Sequence, residues 1–364
     1  MHIEVLDPHS EEEWDKYLLT NKYSGFLQSF CWGQLRRIAY GFKPVFLEVQ
    51  EEGNPLAYFL FHEGFSYSRS NKIIYRLINP LQKSLTKKVS AIDGPVIIDD
   101  SKTEEILTSI LGWLEKYART NNIRGISLTP FRYHKYYADN LSIGKTFEDF
   151  GYSRKQWATY LVDLKQDEES LWNYVKRSAR KSLKQVMKTN LVVKRTGNYE
   201  EYIEKFILPY RNMEKEFGRE GTPLWFVEKI RDFDLKNKYY YYFYAEIDGR
   251  VVGVLGMYVY NGYATEIMSS TSKYAYENKI YAQDLLKWEM FRFARNLGCH
   301  TFDLASVNPN PQTDKERGIK QFKEKWGGEY REYFIYDLDL GESALFNTAR
   351  RVYQIFKYPL GRLL

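Results

Sequence analysis

Two hydrophobic periods alternate along this chain, and the order in which they do so occurs twice. In KPVFLEVQEEGNPLAYFLF (43–61) two strand-like stretches flank a Gly-containing turn. In EEILTSILGWLEKYARTNN (104–122) the period lengthens, and Ile106, Leu107, Ile110, Leu111, Leu114 and Ala118 keep the spacing of one helix face. A short apolar strand, GISLTPF (125–131), follows. The second half repeats the plan. YYYYFYAEIDGRVVGVLGMYVYNGYATEIM (239–268) predicts three strands joined by turns at Asp248–Gly249 and Asn261–Gly262. Asp-Gly and Asn-Gly suit two-residue hairpin turns, because both central positions need positive φ. A helix comes next, with Leu286, Met290, Phe293, Ala294 and Leu297 on one face, stopped by Gly298. It leads into a strand over 300–307, HTFDLASV.

Antiparallel strands, helix, strand, twice over, predicts an α/β (α+β) chain made of two tandem copies of one unit. The alternative is a chance likeness of two α/β halves. The order resembles that of the GNAT acyltransferase unit, and the resemblance implies a sheet that splays open where an acyl donor lies. The expected architecture is therefore two tandem GNAT-like domains with mixed, largely antiparallel sheets, covering 1–150 and 151–340. The polar stretch DNLSIGKTFEDFGYSRK (139–155) marks the break. SALFNTARRVYQIF (343–356) reads as an amphipathic helix, and a helix within 341–364 is expected to pack back on the first half, with a bilayer surface as the second use.

Charge changes the picture in one place. Between Leu171 and Tyr199 stand eight basic residues and no acidic one. Trp172, Val175, Ala179, Leu183 and Val186 or Met187 recur at helical spacing, which predicts one amphipathic helix. Arg177, Arg180, Lys181, Lys184 and Lys188 cover its solvent side. A solvated helix face is the ordinary reading of a charge run. With no carboxylate to pair at i,i+4, a polyanion contact explains the single sign better. tRNA, a nucleotide diphosphate and an anionic membrane are the candidates.

Composition then narrows the function. At 364 residues the chain suits two cores rather than one, and 44% hydrophobic with 27% charged residues is ordinary for globular domains. The net charge of +6 favours a polyanionic partner. No apolar run approaches the roughly 18 residues that a membrane span needs. The acidic beginning, MHIEVLDPHSEEEWD, lacks a basic-then-apolar signal pattern, so the cytoplasm is expected, with the inner membrane face as a peripheral site. Cys31 and Cys299 cannot form a disulfide framework and read as packing residues. His2, His9, His62, His134 and His300 stand at no metal-ligand spacing, so no metal or other cofactor is expected. The chain has no G-x-S-x-G elbow, Walker A motif or G-x-G-x-x-G run. The Gly-rich loop that cradles the CoA pyrophosphate in GNAT enzymes is also missing. Its place holds YAYENKIYAQDLL (274–286), without a glycine.

Several motifs resemble the FemA/FemB/FemX family of peptidoglycan-bridge aminoacyltransferases. FLQSFCWGQLR (26–36) is similar to its N-terminal signature of Gln-Ser, Trp-Gly and a basic residue. DGPVI (93–97), TYLVDL (159–164) and LLKWEMFRFARNLGCHTFDLASV (285–307) resemble further family segments. GIKQFKEKWGG (318–328) resembles its Gly-x-x-x-Phe-Lys-x-x-Phe/Trp-Gly motif. Together these cover most of the chain, in the family order and without the coiled-coil arm of some members. The resemblance implies a double-GNAT fold and transfer from aminoacyl-tRNA to an amine of a nucleotide- or lipid-diphosphate-linked precursor. It places Gln28, Trp32 and Arg36 in substrate binding, with Arg36 on the acceptor diphosphate. Arg219, in EFGREGTPLWF (216–226), sits where the family carries a second basic residue. Phe322 and Lys323 fall on the Phe-Lys pair associated with transfer.

Such a transfer needs a neutral amine, a stabilised oxyanion and a route for one proton. The ester donor is already activated, so positioning supplies much of the rate. Lys323 suits electrostatic stabilisation, against the alternative of a surface lysine. Phe322 and Trp326 have core packing as their alternative, and Arg36 a plain surface position. Asp303 and Glu266 are candidate proton acceptors, with Asp303 mid-strand more simply a structural hydrogen-bonder. Two other functions stay open: a CoA-dependent N-acyltransferase and a non-catalytic RNA- or polyanion-binding protein.

Overall fold

The computed structural model describes residues 1–65, 87–133, 141–218 and 238–341. It divides into two compact units. One runs to Lys155 and takes back the chain from Phe334; the other is Gln156–Tyr333.

The first unit is built on β1 (His2–Leu6), β2 (Lys43–Glu51), β3 (Asn54–Phe65), β4 (Lys87–Ile92), β5 (Val96–Ile97) and β6 (Gly125–Thr129). Strands β1 to β4 are antiparallel in sequence order, β6 lies parallel to β4, and β5 edges β3. Two helices, α1 (Glu11–Leu19) and α2 (Phe30–Tyr40), are capped by the Ser10 and Ser29 side chains. The third, α3 (Thr103–Thr120), carries the expected apolar stripe, all of it buried. Alternation along β3 explains the layering. Tyr58 and Leu60 join Trp14, Leu18 and Phe46 in one cluster, whereas Phe61 packs on Trp113 and Tyr117 of α3. In α4 (Leu141–Asp149), Phe147 stacks on Tyr336 at 3.9 Å.

The second unit holds β7 (Ser153–Asp163), α5 (Glu168–Tyr174), α6 (Arg177–Val186), β8 (Val192–Arg195) and α7 (Leu208–Glu216). It continues with β9 (Tyr240–Ile247), β10 (Arg250–Tyr260), β11 (Tyr263–Thr271), α8 (Lys273–Glu277), α9 (Ala282–Asn296), β12 (Thr301–Asp303), α10 (Asp314–Glu324) and the start of β13 (Glu329–Asp339). Its sheet order is β8-β9-β10-β11-β12-β7, antiparallel except for the parallel β11–β12 pair. Both predicted hairpins form, with positive φ at Asp248, Gly249, Asn261 and Gly262. The tyrosine run of β9 divides between two cores. Phe243 and Ala245 face the cluster under α6 and α9, while Tyr242 and Tyr244 join Tyr202, Phe206 and Ile207.

The two units therefore repeat one order: three antiparallel strands, a long helix and a strand parallel to the third. In each unit an antiparallel strand then pairs with that parallel strand, β13 with β6 in the first and β7 with β12 in the second. This is a mixed α/β fold with mixed sheets.

Three expectations need correction or lie out of reach. The basic segment is not one helix. It breaks at Val175 and Lys176, whose extended ψ values of 143° and 153° separate α5 from α6. Buried Val175 and Ala179 still share the helical spacing that suggested continuity, so burial pattern alone hid the break. The strand expected over 300–307 pairs regularly only at Thr301–Asp303, because Ala305 takes φ 62° and turns the chain. The helix expected near the end falls outside the described residues.

Candidate functional site

In the second unit, β11 and β12 stay paired only from Tyr263↔Thr301 to Thr265↔Asp303. Beyond that point β11 continues to Thr271 through a bulge at Met268, φ 48°. The opening is lined by charge. Asp303 is fully buried, accepts from the Thr159 hydroxyl, and accepts from the Ala305 N–H at 2.9 Å. The Ala305 carbonyl in turn accepts from Lys323 Nζ at 3.1 Å, and the Ser306 carbonyl at 3.2 Å. Ala305, a non-glycine residue held left-handed, is thus fixed at both its N–H and its C=O. Strain of that kind concentrates at functional sites.

Lys323 is placed by α10, whose start is fixed by a capping box of Thr313 and Glu316. Its end needs glycine. A Cβ on Gly328, φ 91°, would lie 3.0 Å from the Leu161 carbonyl oxygen, which accounts for the Gly-Gly of the motif. Phe322 is partly buried against the core and lies beneath Lys325 Nζ at 4.2 Å. Trp326 is completely buried on Phe291. Two ion pairs complete the cluster. Lys287, wholly buried on α9, meets Glu266 of β11. Burial pushes its ammonium below the ordinary lysine range; Glu266 opposes that shift, and the Lys323 charge reinforces it. Asp284, in the first turn of α9, meets Lys325 at 2.6 Å, and its own burial raises its carboxyl pKa. Glu266 and Asp303, candidate proton acceptors by sequence, are both buried and already bonded, which points to structural roles.

In the first unit β4 and β6 pair as far as Ile92↔Thr129, and beside that end lie Gln28, Asp93 and Arg132. Gln28 is fully buried, donates to the Leu60 carbonyl (3.0 Å) and the Ile92 carbonyl (2.9 Å), and accepts from Leu60 N–H (2.8 Å). Both amide hydrogens are used, so Gln28 joins β3 to β4 rather than meeting a substrate. Asp93, φ 59° and buried, faces Arg132 at 3.3 Å. Trp32 and Arg36 fare differently. The Arg36 guanidinium lies 5.6 Å from the Trp32 ring, 5.1 Å from Tyr40 and 4.2 Å from Phe42. Its Nε is buried without a hydrogen-bond partner, and desolvation lowers its pKa. Beside it, His62 is buried with Nε2 also unpartnered. Burial, reinforced by the Arg36 charge, depresses the His62 pKa to about 3. A cation caged by three rings and, among the described residues, without a carboxylate partner suits an anionic ligand.

On α6, Arg177, Lys181 and Lys184 are exposed, as is Lys188 beyond it, while Arg180 donates to the Asn173 carbonyl at 2.8 Å and ties off α5. Arg219 lies outside the described residues. Cys31 and Cys299 are buried, and burial lifts the Cys299 thiol to about 11, too high for a nucleophile. Among the described residues no group of three His, Cys, Asp or Glu could hold a metal, and no helix is long and apolar enough to cross a membrane. An open groove of about 390 Å³ by Lys205, Arg250 and Ser272 contains none of these residues.

The sequence reading missed Lys287, Asp284 and Arg211. Lys287 keeps helical spacing with Met290, Phe291 and Ala294, so a charge on the apolar stripe was the available signal. Arg211 of α7, whose Nε is buried without a partner, carried no such signal.

With this geometry in view, the comparisons are informative. The FemAB family model matches residues 233–336, the stretch that contains β9 to β12, Lys287 and Lys323. The resemblance to FemAB holds. The crystal structure of FemX superposes with a TM-score of 0.71 at 12% identity, covering 98% of this chain and 100% of that one. A tandem GNAT protein from the clavulanic acid biosynthesis pathway gives 0.54 at 11% identity, covering 94% and 99%. L-PGS from Bacillus licheniformis gives 0.53 at 12% identity, covering 97% and 98%. No curated protein sequence matches the chain. The FemAB-like chain thus has an acyltransferase fold.

Proposed function

We propose that this protein is an aminoacyltransferase that moves an amino acid from aminoacyl-tRNA to an amine of a peptidoglycan-type precursor. The acceptor amine attacks the ester carbonyl carbon, the carbonyl oxygen becomes an oxyanion, and the C–O bond to the ribose breaks as the amide forms. The proton lost by the amine ends on the departing ribose oxygen. Lys323 has three N–H donors, and the carbonyls of Ala305 and Ser306 take two. The third is left for the developing oxyanion, in a site whose charge partners are already fixed. Arg36, in its aromatic cage, would hold the acceptor diphosphate.

The observation that carries the choice of donor is the start of α9. A CoA pyrophosphate would need free N–H groups there. Those of Tyr276, Asn278, Lys279, Ile280, Ala282 and Asp284 instead bond to nearby carbonyls. The buried Asp284 carboxylate already occupies the first turn, where it disfavours a second anion. Calorimetry with acetyl-CoA is expected to show no binding at micromolar concentrations. A micromolar or tighter constant would turn the reading toward an ordinary GNAT enzyme.

A further inference from the structure

The inference concerns a surface that the transfer step does not use, and it rests on the reading of the donor as an RNA ester. Of the eight basic residues in 171–199, four have partners within the fold. Lys176 pairs with Glu324, Arg180 with the end of α5, Lys194 with Glu246, and Arg195 lies over Phe293. The other four are Arg177, Lys181, Lys184 and Lys188. All are exposed, and among the described residues none is in an ion pair.

Arg177, Lys181 and Lys184, spaced four and three residues apart, sit within a sector of about 60° on a helix of 3.6 residues per turn, and Lys188 follows just past the helix end. Ala179, Leu183 and Val186 occupy the opposite, buried side of α6. The row works against the helix that carries it. Lys176 is the N-cap, Arg177 follows, and no acidic residue stands in the first turn, so the charge has the wrong sign for the helix dipole. Arg177 with Lys181 is a like-charge pair at i,i+4. Among the described residues no carboxylate pairs with the row to offset these costs, whereas a polyanion would.

We propose that this row grips the sugar–phosphate backbone of the RNA donor, away from its reacting end. Two other occupants fit less well. A nucleotide diphosphate is too short, since the row extends over about 10 Å within α6 at 1.5 Å per residue and continues past its end to Lys188. A membrane surface takes up helices that can insert their apolar face, and the apolar face of α6 is committed to the core of its own unit.

The test is titration of the full chain with fluorescently labelled, deacylated tRNA over a range of salt, beside vesicles of phosphatidylcholine and phosphatidylglycerol. The row should contribute about −3 to −4 to the slope of log K against log salt. The variant Arg177→Gln/Lys181→Gln/Lys184→Gln/Lys188→Gln should lose that part of the slope and bind on the order of a hundredfold more weakly at low salt. Lys181→Arg/Lys184→Arg/Lys188→Arg should bind like the wild type, which separates charge from folding. The inference is overturned if the Gln variant keeps the wild-type slope, or if the row governs binding to vesicles and not to tRNA. A wild-type protein without measurable tRNA affinity would remove the RNA-donor reading too, whereas tRNA binding indifferent to the row would remove this inference alone.

Discussion

The two units solve the same topological problem with different chemistry. In each, the third strand and its parallel neighbour part company, at Ile92 and Thr129 in one and at Thr265 and Asp303 in the other. At that end the first unit carries the buried Asp93–Arg132 pair, and beside it the amide of Gln28, whose bonds join β3 to β4. The second fills the gap with Glu266, Lys287, Asp303 and Lys323. An amide bonded to two strands locks a sheet, whereas a lysine with one N–H beyond its two carbonyl bonds can meet charge that develops in a reaction. Duplication thus supplies two similar openings with different side chains, and on the proposed reading the second carries the transfer. The first unit keeps its unpaired charge elsewhere, in the Arg36 cage, where it suits binding rather than chemistry.

The largest expected effect tests the charged opening. Lys287→Met should destabilise the protein by about 3–5 kcal/mol, because Glu266 is left buried and unpaired. Glu266→Leu/Lys287→Met should recover most of that loss in urea unfolding. If the double variant is no better than the single one, the pair is not the isolated unit described here. In the first unit, Gln28→Ala strips three backbone groups of their partners and should cost about 3 kcal/mol. A loss well under 1 kcal/mol would return Gln28 to the substrate-binding residues.

His62 sharpens the contrast through pH. Its folded pKa of about 3 lies below the ordinary 6.5, so the folded protein declines a proton that the unfolded chain accepts. Stability from the neutral ring is fully present above pH 6.5 and is lost as pH falls toward 3. At about pH 4.5 the difference amounts to roughly 2–3 kcal/mol. Unfolding midpoints should therefore fall more steeply on acidification in the wild type than in His62→Phe; parallel curves would refute the assignment. Smaller still, Arg36→Ala should raise the KM for the acceptor about 10- to 100-fold with kcat nearly unchanged, because phosphate contacts persist through the transition state. A fall in kcat at constant KM would place Arg36 at the reacting end instead.

Much of this was legible in the sequence, where local chemistry and tertiary need coincide. The Asp248–Gly249 and Asn261–Gly262 turns, the stripe of α3 and the stop at Gly298 are fixed by backbone preference and by helical or alternating period. What stayed hidden depends on partners distant in sequence. Lys287 looks misplaced until Glu266, 21 residues away, is seen beside it. Gln28 looks like a binding residue until its amide meets a strand 32 residues on. The break at Val175 was masked because α5 and α6 bury residues in the same register. The Phe322–Lys323 motif marked its region, but only the fold shows Lys323 bonded to the carbonyls of Ala305 and Ser306.

The most direct test of the account is the steady-state rate of Lys323→Met with aminoacyl-tRNA as donor and a UDP-linked muropeptide as amine acceptor. The wild type should move labelled amino acid into an amide product. In the variant kcat should fall about tenfold to a thousandfold, with both KM values within about threefold of wild type, since the lysine would meet charge that develops only during transfer. Unchanged kcat in a folded variant would contradict the role given to the charged opening of the second unit.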